Sequence, residues 1–209
     1  MHNIEDIRYL IKFVSKYEYA KDLISGKLFM RPARYYHNLE KGQGDIMEAS
    51  VISGLCMYKD FDIPIYCLYA DCESENKKII FSNKLITDFH CENGYAVVIH
   101  FSEFSNLLSQ CNTNGYSAYG GLVKYMYKPF ENIDYFIENK NYSNLFFKDP
   151  AFSYQNEFRF IVCKRVSQNQ DSVIYTIPSI KNFSKIFSVK NIKIVGENRV
   201  IYLNNKNDI

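Results

Sequence analysis

Runs of apolar residues separated by short polar breaks mark this chain along most of its length. Residues 7 to 14, Ile-Arg-Tyr-Leu-Ile-Lys-Phe-Val, predict a strand. Ser15-Lys-Tyr-Glu18 has capping-box spacing and predicts a short helix with Tyr17, Ala20, Leu23 and Ile24 on one stripe. Gly26 stands where a helix ends, and Lys27 to Arg31 predicts a second strand stopped by Pro32. Residues 34 to 49, continuing towards Gly54, read as a polar loop carrying two glycines and the acid pair Asp45 and Glu48. Further strands are predicted over residues 63 to 70, 94 to 101 and 122 to 127, with a helix capped by Ser102 and a turn at 115 to 121. Three short strands close the chain, at 172 to 177, 191 to 195 and 199 to 203.

The sum is about eight or nine strands and three or four short helices. Strands do not alternate with long helices, so a doubly wound parallel sheet is disfavoured. The expected class is α+β, a single domain over residues 1 to 209 built on a mixed, mostly antiparallel sheet. No internal repeat or low-complexity segment interrupts it.

Composition then narrows the classes. A net charge of +2 without a dense basic run argues against a strong general nucleic-acid binder. Tyr 18 and Phe 16 with no Trp make the chain rich in aromatics; much of that skew follows the AT-rich codons that also favour Asn, Lys and Ile, and the remainder suits a contact surface. Six cysteines lack both disulfide-like spacing and a CxxC pair, and the polar start Met-His-Asn-Ile-Glu-Asp is unlike a signal sequence, so a reducing cytoplasm is expected. No run is long enough to span a bilayer. Cys67 and Cys72, or Cys91 after His90, offer only poor zinc spacing. The phosphate-loop, dinucleotide, zinc-protease and nucleophile-elbow motifs are all missing.

The chemistry concentrates at residues 146 to 165, Phe-Phe-Lys-Asp-Pro-Ala-Phe-Ser-Tyr-Gln-Asn-Glu-Phe-Arg-Phe-Ile-Val-Cys-Lys-Arg. A strand extended from Tyr154 puts Gln155, Glu157 and Arg159 on one face and Phe158, Phe160 and Val162 on the other. Such a row is either an ordinary solvated strand face or a site. As a site, the Glu157 carboxylate can hydrogen-bond a ribose hydroxyl and stabilise a developing oxocarbenium ion. The Gln155 amide can orient the incoming nucleophile, and Arg159 favours the ionised carboxylate.

The order of segments resembles an uncharacterised family of bacterial and phage proteins. The residues that carry the likeness are Gly26-Lys27-Leu28, Phe29-Met30-Arg31-Pro32, Gly44-Asp45, Tyr66-Cys67-Leu68, Gly94 to Ile99, and Lys148 with Glu157-Phe158-Arg159. That layout is in turn similar to the ADP-ribosyltransferase superfamily. The resemblance implies an enzyme using NAD as co-substrate, with Glu157 and Gln155 as catalytic residues. It places the pyrophosphate on Arg8, Lys12 or Arg31, with Arg159 nearby, and the nicotinamide against Tyr35 or Tyr36. The first strand departs from the superfamily pattern, offering Arg8 and Lys12 but no His. The implied setting is bacterial defence, a toxin or a phage countermeasure, acting on an unidentified macromolecular acceptor. Two other readings stand beside it. One is a non-catalytic binding protein, such as an inhibitor of a host defence. The other is a metal-dependent nuclease using Asp45, Glu48 and Glu157.

Overall fold

The computed structural model describes residues 3–37, 50–53, 56–59, 62–72, 78–110, 115–126 and 142–203. In chain order the strands are β1 (Tyr9–Val14), β2 (Lys27–Pro32), β3 (Ser50–Ser53), β4 (Cys56–Lys59), β5 (Pro64–Asp71), β6 (Lys78–Ser82), β7 (Tyr95–His100) and β8 (Ala118–Leu122). They continue as β9 (Lys124–Tyr125), β10 (Phe147–Lys148), β11 (Glu157–Val162), β12 (Val173–Thr176), β13 (Ser184–Ser188), β14 (Lys193–Val195) and β15 (Asn198–Tyr202). The helices are α1 (Tyr17–Ile24), α2 (Ala33–His37), α3 (Asn83–Asp88) and α4 (Phe101–Ser109). The fold is α+β, with mostly antiparallel sheets and a few short helices, as the pattern predicts.

The chain forms two compact units. The first contains residues 1–29, 67–112 and 174–209, and the second contains residues 30–66 and 113–173. In the first unit β7 lies between β1 and β13, antiparallel to both, with Tyr9 opposite His100 and Ser188 opposite Tyr95. β1 also pairs with the end of β5, Tyr9 opposite Asp71. A central strand has neighbours on both edges and cover on both faces. That is why Ala96-Val97-Val98-Ile99 is an unbroken apolar run, fully buried, rather than an alternating one. A three-stranded antiparallel sheet, β14-β15-β6, completes this unit, and α3 follows β6 directly.

Helix α1 confirms part of the predicted stripe. Ala20 and Leu23 are buried, while Tyr17 remains 44% exposed beneath the Lys21 ammonium. The cap is not the expected box: the chain enters the helix at Lys16, in extended geometry and with no side-chain cap, so Ser15 sits too early to cap it. Gly26 does end the segment, at φ +96°, and a Cβ there would stand 2.0 Å from the Ile177 carbonyl oxygen. The Ile177 amide donates to the Gly26 carbonyl at 2.8 Å, which is what draws the two backbones together.

The N-cap position of helix α4 is His100, not Ser102, and no side chain caps it. The Phe101 amide donates to the Arg8 carbonyl at 3.0 Å, so strand pairing runs straight into the helix. Ser102 lies one residue inside, where its hydroxyl donates to Glu103 Oε2 at 2.6 Å, and His100 Nδ1 meets the same carboxylate.

The second unit holds the pairing of β2 with β5, Arg31 opposite Ile65, the β3–β4 hairpin, the β8–β11 pair and the short parallel pair β9–β10. Two expectations change here. Residues 33–37 form helix α2 rather than the start of a loop, while 38–49 and Gly54 lie outside the described residues. The glycines of 118–122 are in a strand, not a turn. Gly120 lies under the Phe158 ring, where a Cβ would come within 2.9 Å of Cζ, so glycine is used for close packing.

We expect Gly26→Ala to destabilise the protein by about 2 kcal/mol or more, through the left-handed backbone and the clash with Ile177, read as a lower urea midpoint. The Glu103 carboxyl is held below its ordinary value of 4.5, chiefly by the Ser102 hydroxyl, with its own amide and His100 adding to this against partial burial. A lowered folded value gives stability that is present above pH 4.5 and lost as pH falls through the folded value. Glu103→Gln is therefore expected to lower the urea midpoint at pH 7, by an amount that shrinks as pH falls below 4.5, a trend a pH series of unfolding curves resolves.

Candidate functional site

The predicted polar row exists, but its geometry differs from a strand face. Asp149 accepts a bond from the Ala151 amide at 2.8 Å and opens a 3-10 turn over Pro150–Gln155. Asn156 then takes a left-handed conformation, φ 36° and ψ 57°, and the strand begins only at Glu157. Gln155 is thus the last residue of a turn, and strand alternation does not apply to it. Nor is the row solvated: Gln155 is 3% exposed, Glu157 5% and Arg159 1%. All six residues of β11 are buried, polar and apolar alike, so the reading of an ordinary solvent face is overturned.

What gathers these groups is Lys148, itself buried, from β10. Its ammonium donates to Gln155 Oε1 at 2.8 Å and to Glu157 Oε2 at 3.2 Å, and stands 5.0 Å from the centre of the Phe152 ring. From the other side Arg159 grips the same carboxylate with two donors, Nε to Oε1 at 2.6 Å and Nη2 to Oε2 at 3.2 Å. The remaining guanidinium nitrogen donates to the Leu145 carbonyl. The backbone of Glu157 is fixed as firmly. Its amide donates to the Tyr125 hydroxyl at 2.8 Å, and its carbonyl accepts from Val123 at 2.8 Å. Lys148 and Tyr125 arrive together because β10 and β9 pair in register, Lys148 beside Tyr125.

Two cations thus face one carboxylate at a place with almost no water. Taking such charges out of water is costly, and the attraction between them repays it only when geometry and hydrogen bonding are good. Here both carboxylate oxygens and the amide oxygen have charged donors. Chemically the cluster is one carboxylate and one amide fixed by two cations, in a low-dielectric setting that strengthens the interactions among them.

Arg31, Tyr35 and Tyr36 form another grouping in the second unit. The guanidinium of Arg31 stacks 3.8 Å above the Tyr35 ring, and Tyr35 meets Tyr36 edge to face at 5.6 Å. Nearby in sequence, Arg34 bonds Asp62 at 2.5 Å and reaches the carbonyls of Ser167 and Gln170, which ties α2 to that loop. Arg8 and Lys12 belong to the first unit. Arg8 is exposed, and the Lys12 ammonium donates to the Cys67 carbonyl at 2.8 Å.

Among the described residues no group of three or more His, Cys, Asp or Glu stands together as a metal site, and Asp45 and Glu48 lie outside them. Cys91 is buried, and desolvation pushes its thiol up to about 11, which keeps it protonated. Among the described residues no helix is long and apolar enough to cross a membrane. Sequence reasoning gave Lys148 a place in the motif but no role, and it missed Tyr125. The one available signal was a lysine inside the aromatic run Phe146-Phe147-Lys148.

Compared with protein-family models, with curated proteins and with solved structures, the chain matches none.

Glu157→Ala would leave Lys148 and Arg159 buried without their carboxylate. We expect a loss of about 3–5 kcal/mol of stability, measured by urea unfolding, with Glu157→Gln losing less because one carbonyl oxygen remains. A Glu157→Ala protein as stable as the parent would contradict the network described.

Proposed function

We propose that the chain is an NAD-dependent enzyme resembling ADP-ribosyltransferases, with Glu157 as its reacting group. The observation that supports this reading is the buried carboxylate at the first residue of β11, held by two cations with a fixed amide beside it. Buried ion clusters of this kind seldom add stability over an apolar core.

In the proposed reaction the bond between ribose C1′ and the nicotinamide nitrogen breaks, and nicotinamide leaves with the electron pair. Glu157 stabilises the ribosyl cation and holds a ribose hydroxyl. Gln155 positions the acceptor, whose lone pair closes on C1′ as its proton departs. Arg31 holds the pyrophosphate, and Tyr35 or Tyr36 of the same unit covers the nicotinamide. A macromolecular acceptor in the cytoplasm, in a bacterial defence, toxin or phage counter-defence setting, fits this chemistry.

One observation favours a second reading. Both oxygens of Glu157 already have protein donors, so the cluster also suits a purely structural role in a non-catalytic binding protein. Affinity would then rest on exposed aromatics such as Tyr116 and Tyr119 of the second unit, 42% and 47% exposed.

Calorimetric titration with NAD, paired with an assay of released nicotinamide, separates the two. The enzyme reading predicts saturable binding that Arg31→Ala weakens. It also predicts that Glu157→Gln still binds NAD but turns it over about a hundredfold more slowly. A folded protein that neither binds nor consumes millimolar NAD would leave the binding-protein reading in its place.

A further inference from the structure

We infer that Lys148 is a positioning residue that sets which end of the Gln155 amide faces a ligand, and that it does so through the same ammonium that steadies Glu157. This inference rests on the enzyme reading above and adds a component to that site.

The argument starts from what each group is able to do. A lysine ammonium carries three donors and no acceptor. Whatever sits 2.8 Å from it must accept, so the oxygen of the Gln155 amide has to be the end turned towards Lys148. The usual ambiguity between the oxygen and nitrogen of a glutamine side chain is removed by its partner. The nitrogen end points the other way and donates to the Tyr154 hydroxyl at 3.5 Å. On the enzyme reading, an acceptor hydroxyl that takes over this contact meets the donor end of the amide through one lone pair and keeps the other to close on C1′.

Sequence spacing alone leaves the amide able to turn over, since Gln155 closes a 3-10 turn and its neighbour Asn156 is left-handed. No strand face dictates its orientation. Lys148 does, from a different element, and its position is in turn set by the pairing of β10 with Tyr125. The ammonium also lies 3.2 Å from Glu157 Oε2, so amide and carboxylate share one reference point. Their spacing is then a property of Lys148 as much as of the Gln-x-Glu segment. Arg159 keeps its own bidentate hold on Glu157. Loss of Lys148 therefore disturbs Gln155 more than it disturbs the carboxylate.

The test is steady-state NAD turnover and NAD affinity in Lys148→Met, Lys148→Arg, Gln155→Ala and the Lys148→Met/Gln155→Ala pair, each confirmed as folded by its melting transition. Lys148→Met is expected to lower kcat about tenfold while leaving the affinity for NAD within about threefold, because the lost contact orders the amide rather than the dinucleotide. Lys148→Arg, which also only donates, is expected to recover most of the rate. In the Gln155→Ala background the same Lys148→Met change is expected to cost less than about twofold, since the group it orients is gone. If Lys148→Met does not fold, Lys148→Gln takes its place, a shorter polar side chain that both donates and accepts and so allows the Gln155 amide to turn. Wild-type kcat in the Lys148 variant, or full additivity with Gln155→Ala, would overturn this inference while leaving the enzyme reading intact. A wild-type protein without NAD turnover would overturn both, so the two failures are told apart by the unmutated protein.

Discussion

Glu157 opens a strand whose every residue is buried, and its carboxylate can occupy that position only because Arg159 and Lys148 approach it from two sides. Much of the second unit is arranged around this contact. Arg159 is two residues along the same strand, close enough for a bidentate grip. Lys148 belongs to β10, which is placed by its pairing with β9, and β9 carries the Tyr125 hydroxyl that receives the Glu157 amide. β8 seals the other edge, with Gly120 beneath the Phe158 ring. Removing any of these supports exposes the charge cluster to either water or an unmet partner, and in a low-dielectric interior both are costly.

The first unit follows a simpler rule. Its central strand β7 is apolar from Ala96 to Ile99 and lies between two antiparallel neighbours. Burial of four consecutive side chains there, at about 1.5–3 kcal/mol for each of the larger ones, needs no polar device. Its polar contacts lie around that core: the Ser102–Glu103–His100 cluster at the start of α4, the Lys12 ammonium on the Cys67 carbonyl, and buried Arg199 of β15, which donates to Asn83 and to the Val189 carbonyl. The two units thus differ in emphasis. The first rests chiefly on apolar burial at β7, and the second holds two cations and a carboxylate inside an apolar strand.

That contrast bears on function. A hydrophobic core explains itself through stability, whereas a buried carboxylate between two cations needs a further reason for being kept. On the proposed enzyme reading, the Glu157 carboxylate is already in place for a developing ribosyl cation and needs no reorganisation. The same saturation of Glu157 also makes the cluster an effective structural clamp. In both readings Lys148 links the amide to the carboxylate.

The pattern of apolar runs was enough to identify the α+β class, the strands expected at 7–14, 27–31, 63–70 and 94–101 and found at 9–14, 27–32, 64–71 and 95–100, and the short helix before Gly26, because backbone periodicity and punctuating residues such as Gly26 are local properties. It also singled out Gln155, Glu157 and Arg159, since polar residues at the mouth of an apolar strand conflict with their surroundings. It misjudged what depends on distant partners. Gly120 and Gly121 suggest a turn but pair with β11, and residues 34–37, expected to open a loop, belong to helix α2. The solvated face became a sealed one because burial of β11 is imposed by the elements packed on it, not by its own alternation. Gln155 meets Glu157 through a left-handed Asn156 and a lysine from another strand, and neither leaves a mark in residue spacing. The sequence by itself determined which groups would be costly to bury; only the tertiary structure, through the register that sets Lys148 beside Tyr125, decided that they would be buried together.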